Sequence, residues 1–501
     1  MSLSRREFLR LGGFTAVAAS TTACSAIGRE LVQRELPESL TIPVPEQEQI
    51  DPIHRLLNRA GYGPRPGDRE RVAAMGLSAY LEEQLHPEQI EDTATDVLMR
   101  SLTLTHMDVS QLVEQDQKDG VVELIGSALT RALVSKRQLY EAMVEFWSDH
   151  FNIYLRKNKF MPLLKIVDDR DVIRPHALGK FRDLLHASAR SPAMLAYLDN
   201  TRNNKKQPNE NYGRELLELH TLGVYAGYTQ KDVQEVARIL TGWTVARQGR
   251  QKGYFVFRPG QHDFGAKVAL GQTFHMDDGE AEVTALLDML VDQPATSEFI
   301  ATKLVRRFVA DEPPPGLTER VAQTFRRTDG DIKEMLRVIF LSEEFATAPP
   351  KLKRPYTYLV SLMRALHATV RPTRERVIGH ALAQMGQLPF HWPPPDGYPD
   401  VSTAWAANLL PRWNFALAVL HEEMPGINAP LEEIMSAGKA ETAADVLNLF
   451  AGLVYGRALQ PHEAAQFHDY TGSGPLSDHQ TQLRLRDSVA LMLAAPAFQW
   501  T

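Results

Sequence analysis

In 501 residues there is a single cysteine, Cys24. No disulfide can form within the chain, and past that position there is no thiolate to act as nucleophile or metal ligand. Positive charge is not in surplus either. Lys and Arg number 55 against 62 Asp and Glu, the formal net charge is −7 and the pI about 6.2. That balance argues against a nucleic-acid surface, which needs concentrated positive charge. The short basic stretch Arg202 to Lys206 reads as a solvated loop. Past the N-terminus no stretch approaches the ~18 uncharged apolar residues of a membrane span. Also missing are a G-x-S-x-G elbow, a Walker loop and a dinucleotide fingerprint set between strand and helix.

What is present begins with an address. Ser4-Arg5-Arg6-Glu7-Phe8-Leu9-Arg10 resembles the twin-arginine export motif, with Arg where Lys is commoner. The modestly apolar run Leu11 to Ala23 is too short and polar for a permanent anchor and reads as a signal core, so residues 1–23 are expected to be an export signal. Cys24 follows Thr21-Thr22-Ala23 and looks like a lipoprotein attachment site, with Thr three residues before it where Leu is usual. Lipidation of Cys24 and simple cleavage nearby are the alternatives. A multiply acylated cysteine would hold the protein on a membrane, where one acyl chain binds only marginally. The expected location is the periplasm or cell surface. Residues 24–48, with Pro and Glu spread through them, are expected to be a linker.

From Asp51 onward the apolar spacing is helical. Ile53, Leu56 and Leu57 open the first helix, Pro66-Gly67-Asp68 opens the next, and further helices fit about 180–190, from Pro192, and 230–240. Between Trp243 and Phe274 the pattern changes to short alternations with frequent Gly, predicting two to four strands. With 44% hydrophobic residues a sizeable core is available. The expectation is a mainly α protein: a large helical domain over 49–430, a small β insertion at about 243–275, and a C-terminal helical module over 431–501. Residues 303–345 and 446–499 share an order of helix, proline-containing connection, helix, helix and closing Phe, which suggests a duplicated module.

The densest polar chemistry lies in NENYGRELLELH, residues 209–220. Wound as a helix, Asn211, Glu215, Glu218 and Leu222 share a face about 60° wide. Leucines on nearly every side predict burial, and buried carboxylates need an Arg partner, backbone donors or a cation. Glu215 and Glu218 therefore fit either a hard-metal or acid–base site, or a salt-bridge network between helices. The spacing is neither the HExxH of zinc proteases nor the ExxH of carboxylate-bridged metal bundles. His150 in FWSDHFN fits a hydrogen-bonded core histidine as well as a ligand. His262-Asp263 in GQHDFGAK fits a base or ligand as well as a stabilised turn. PFHWPPPDGYPD, residues 389–400, has five prolines and is neither helix nor central strand. It would make a stiff aromatic wall, with Trp392 and Tyr398 facing a ligand, or else a packed connector.

HRLLNRAGYGPRPGD, FWSDHF, MLAYLDN, PNENYGRELLELHTLGV, YTQKDVQEVARILTGWT, HDFGAKVALGQTF, PATSEFIATKLVRRFV, DGDIKEMLRVIFLSEEF and PPPDGYP occur in this order over about residues 50–500. Together they resemble the bacterial family catalogued as domain of unknown function 1800. The resemblance implies a mostly helical exported protein and a gene neighbour from a second exported family with an alkaline-phosphatase-like look. It implies no established reaction. Its pattern falls on His150, Asn209, Asn211, Glu215, Glu218, Trp243, His262, Asp263 and Gly397. His220 departs from the pattern, since many relatives carry Phe there, and fits a core-facing ring.

Two functions follow as expectations. One is a lipidated envelope component that binds or assembles with its exported neighbour. The other is a metal-dependent hydrolase or oxidoreductase. In that case Glu215, Glu218, His150 and His262 would hold a divalent metal, with Asp263 also catalytic. Asn211, Trp243, Trp392 and Tyr398 would contact the substrate. The same residues are the candidate site in either case.

Overall fold

The computed structural model describes residues 21–40, 51–275, 277–370 and 376–501. The export motif and most of the expected signal lie outside the described residues, as does the side chain of Cys24. The fold is mainly α, and among the described residues its strands form only three two-stranded antiparallel sheets. No described helix is long and apolar enough to cross a membrane.

Local chemistry sets the helix starts. Asp51 accepts a hydrogen bond from the Ile53 amide and Pro52 occupies the first turn of Pro52–Arg59. Capping boxes, Thr229 with Asp232 and Thr442 with Asp445, open Gln230–Ile239 and Ala443–Tyr455. The expected starts at Asp68 and Pro192 fall at those residues. The β insertion is two hairpins. Trp243–Val245 pairs with Phe255–Phe257, and Lys267–Ala269 pairs with Gln272–Phe274. Leu270 and Gly271, both at positive φ, make the tight second turn. Asn200 ties the first hairpin down, donating to the carbonyls of Leu240 and Trp243 at 3.2 and 2.9 Å.

Two apolar cores form, and they divide the chain differently from the expected boundary at 430. The first gathers residues from Leu56 to Ala348, including Tyr212, Leu216 and Leu217 of the 209–220 motif. The second gathers most of the buried apolar residues after Tyr356 and draws in others between Ala94 and Val134, while Leu352, Tyr398 and Trp405 form a small cluster of their own. Leu410–Leu420 packs along His479–Ala494, so residues 356–430 belong with the C-terminal helices. The expected linker is also partly structured. Thr21–Gln33 is a helix on Thr93–Met99, and Val32 and Leu40 lie in the second core. Gly28, Leu31 and Val32 form a single-turn apolar stripe, too short to register as a period in the sequence.

The stretches expected to repeat do share an element order. Pro294–Phe308, Pro315–Thr328, Ile332–Phe340 and Glu343–Ala346 are matched by Ala443–Tyr455, Pro461–Thr471, His479–Ala494 and Pro496–Gln499. A backbone ladder joins the two sets: Lys351 and Thr501 exchange bonds of 2.9 and 3.0 Å, and the Lys353 amide donates to Gln499 at 2.8 Å. Arg59 donates its buried guanidinium to the carbonyls of Phe308, Val309, Pro349 and Thr501, at the same junction.

Candidate functional site: a charged cleft behind an aromatic-proline wall

Helix Gln138–His150 carries Glu145 and Asp149 four residues apart, on one face. Arg354, 4% exposed just before helix Pro355–Ala365, donates to both, at 2.8 Å to Asp149 Oδ2. Glu145 also accepts from Arg307 at 2.8 Å and from the Tyr62 hydroxyl at 2.9 Å. Burial alone would raise the Glu145 carboxyl, but Arg354 and Arg307 outweigh it and hold it below the usual range. For Asp149 the balance goes the other way. Burial, helped by the charge of Glu145, pushes its carboxyl up to about 6 against the pull of Arg354.

Over the end of this helix lies the stiff 389–400 segment, and its hydrogen bonds fix it as a wall. Asn152 donates to the carbonyls of Trp392 and Pro394 at 2.9 and 2.6 Å, and Tyr197 donates to Pro393 at 2.7 Å. Tyr398 donates to Leu388 at 2.6 Å and the Trp392 indole to Asp396 at 2.8 Å. Gly397 has φ +76°, and an added Cβ would overlap the Asp149 carbonyl oxygen. Glycine is therefore required there by both conformation and space.

Between the wall, helix Gln138–His150 and helix Pro294–Phe308 is a cavity of about 250 Å³. Lys303, Arg306, Arg307 and Arg354 line it, with Asp149, Asp396 and Asp400 opposite. Burial lowers the Lys303 amine to about 8, against the attraction of Asp149, Asp400 and Asp396. His150 edges the cavity but its Nε2 donates to the His220 carbonyl at 3.1 Å, and its ring sits edge-on to Trp147 and Phe151. Burial keeps both His150 and His220 neutral, with His220 lowered to about 3.

The expected site residues separate into two places. Glu215 does not line the cavity, but it feels the charge of the wall's Asp396. Burial and then the nearby charge of Glu218 push its carboxyl up to about 6, with Asp396 of the wall adding to the effect. It is half-buried rather than enclosed, as is Glu218. Glu218 pairs with Arg214 of its own helix at 3.5 Å, so its partner is an arginine one turn away. The single face expected for this helix is altered because Leu216–Thr221 forms a π-helical turn. Asn211 is a tether, donating to the Leu198 carbonyl at 3.2 Å. Trp392 and Tyr398 both line the cavity.

His262 and Asp263 do not join them. His262 is fully buried between Thr241, 2.8 Å from its carbonyl, and Glu282, 3.2 Å away, and Glu282 is paired with the buried Lys267 at 2.6 Å. Asp263 is bound by Arg238 at 2.8 Å and by the Gly265 amide. Burial would raise its carboxyl, but those bonds hold it below the usual range. The pair locks the β insertion onto helices Gln230–Ile239 and Gly279–Asp292. Trp243 is likewise a core residue, 1% exposed, packed against Phe255 and away from the residues that line the cavity. Among the described residues no three His, Cys, Asp or Glu side chains are gathered to hold a metal ion, so the expected Glu215, Glu218, His150 and His262 set is not assembled.

The sequence reading missed the cations. Lys303, Arg306 and Arg307 stand in KLVRR near the end of a helix, where positive charge ordinarily answers the helix dipole. Arg354 follows Lys351 and Lys353 and reads as an ordinary basic stretch.

Fold and site thus define a class: a helical protein with two joined cores and a charged cleft closed by a rigid aromatic-proline wall. A family model described as "Protein of unknown function (DUF1800)" matches residues 55–500, and the chain belongs to that family. No curated protein and no solved structure matches it.

Two outcomes follow from this geometry. The Glu215 carboxyl rises from an ordinary 4.5 in the unfolded chain to about 6 in the fold. The folded state then binds more protons in that window, so this group's contribution to stability falls as pH rises from about 4.5 to 6. Glu215→Gln should fold, match or exceed the parent's stability above pH 6, and lose that decline in urea unfolding followed against pH. An unfolded variant would instead mean that Glu215 belongs to a closed ion-pair network. Gly397→Ala should lose about 1–2 kcal/mol from its backbone conformation alone, more with the overlap, and urea unfolding measures the loss. Parent-like stability would show that the wall does not rest on Asp149.

Proposed function

We propose that this is an exported, lipid-anchored envelope protein whose cleft binds a ligand, and that it works with a second exported protein of the alkaline-phosphatase-like kind. The observation that carries the binding role is the wall of residues 389–400. Five hydrogen bonds and one obligatory glycine pre-form a cavity against charged side chains. Pre-formed concavity with a few placed polar groups is what ligand sites need. The address rests on Arg5, Arg6 and Cys24. Fractionation of cells carrying the full chain tests both parts. Replacing Arg5 and Arg6 by Lys should hold the protein in the cytoplasm, and Cys24→Ala should move it from the membrane to the soluble fraction. The neighbouring gene's product should co-purify with the parent from detergent-solubilised envelopes. Unchanged fractionation in both variants, with no co-purification, would sink the reading.

A metal-dependent hydrolase or oxidoreductase is the second reading. What favours it is Glu215, poised to exchange a proton near pH 6 beside the charge of Glu218. Elemental analysis of the protein purified without chelator distinguishes the two. The binding reading expects no stoichiometric metal. Metal that is lost in the Glu215→Gln, Glu218→Gln double variant would favour the enzyme.

A further inference from the structure

We propose that the cleft recognises an organic anion, whose carboxylate or phosphate is taken by Lys303 Nζ and the Arg306 guanidinium while its remainder lies against Trp392. This rests on the reading of the cleft as a ligand site and names the chemistry of what enters it.

The argument starts from which cations are already satisfied. Of the four that line the cavity, Arg354 is committed to Glu145 and Asp149, and Arg307 to Glu145. Asp400 is matched by Lys351 at 3.4 Å, with Arg307 at 3.9 Å. Lys303 and Arg306 are different. Among the described residues neither has a carboxylate within ion-pair distance, and the Lys303 amine has no hydrogen-bond partner, only the Phe299 ring at 5.4 Å. Arg306 spends its Nε on the Asp311 carbonyl at 3.1 Å, which aims the fork without neutralising it. The two residues are three apart on helix Pro294–Phe308, so their heads lie on one face.

Such heads are costly to desolvate unless something completes them. Asp396 of the wall, which also lines the cavity, is engaged by the Trp392 indole at 2.8 Å through one oxygen, leaving the other as an acceptor suited to a ligand hydroxyl. A planar guanidinium beside an ammonium is suited to a carboxylate or phosphate group. The cavity, at about 250 Å³, limits the enclosed part of the ligand to a small group such as one sugar ring or less. The lowered Lys303 amine agrees with a cation awaiting its counter-ion.

The test uses the full mature chain and limiting lysine acylation, read by mass spectrometry at Lys303 relative to the exposed Lys205. Inorganic phosphate, acetate, chloride and the neutral sugar methyl glucoside are compared at matched ionic strength. A bound anion favours the unreactive ammonium, so phosphate or acetate should slow Lys303 by about fivefold or more while chloride does not. Protection by phosphate alone assigns a phosphoryl ligand, by acetate alone a carboxylate, and by both the shared anion chemistry. Arg306→Met, shown folded by circular dichroism, should lose the protection. Equal reactivity in all salts, or protection that survives Arg306→Met, would overturn the proposal. Protection by methyl glucoside alone would overturn the anion assignment while leaving the cleft a ligand site.

Discussion

The cleft depends on the buried fork of Arg354. Glu145 and Asp149 lie one turn apart on a helix that is otherwise packed into the core, and without a shared cation they would repel. Arg354 reaches both from the start of another helix and so fixes how the end of Gln138–His150 sits against Pro355–Ala365. Buried ion pairs often add little net stability, because desolvation consumes most of the attraction. What this one supplies is position. The Asp149 carbonyl held by that helix end is the surface against which Gly397 packs, and Gly397 sets the path of the wall. Charge pairing, helix end, wall and cavity are thus linked through one guanidinium, with Arg307, Asn152 and Tyr197 holding the same parts from other sides.

How much of this was legible in the sequence depended on the range of each interaction. Helix starts at Asp68 and Pro192, and the two hairpins, follow from neighbouring residues and were readable. The irregular course of 389–400 was readable as well, because five prolines in twelve residues exclude helix and central strand, but wall and packed connector looked alike. His262-Asp263 was not. Nothing local says that Glu282 and Arg238 will claim its two side chains, and a histidine beside an aspartate in a glycine-flanked loop looks the same before its partners are known. The 209–220 helix misled for another reason: a π turn changes the angle per residue, so a face drawn at α-helical spacing no longer holds past Leu216.

The cations were hidden by an ordinary explanation. KLVRR near a helix C-terminus satisfies the macrodipole, and that account is complete at the level of the sequence. Only the packing distinguishes the three heads: Arg307 turns to Glu145, Arg306 to a backbone carbonyl, and Lys303 to no acceptor. Similarly, the burial expected of Glu215 is only partial, and its electrostatic neighbours include Asp396, some 180 residues away in sequence.

The meaning of Lys303, half-buried on the cavity, comes from comparison with the fully buried lysines. Lys165 is fully buried and has Asp168 at 2.5 Å, and Lys267 is fully buried and has Glu282 at 2.6 Å. Each lysine is placed with its own carboxylate, so this fold does neutralise ammonium groups that it encloses. Lys353 is the exception within the core. Its amine, 2.9 Å from the Ser361 hydroxyl and over the Phe498 ring, is held far below its usual value by burial and then by Arg412, so it is sealed in as the neutral amine. Lys303 fits neither pattern. It has no carboxylate of its own, yet it opens on a cavity and keeps its amine near 8, within reach of the charged form at neutral pH. A lysine that is neither paired nor silenced, half-buried on a wall-bounded cavity, is a charge left open to a partner from outside the chain.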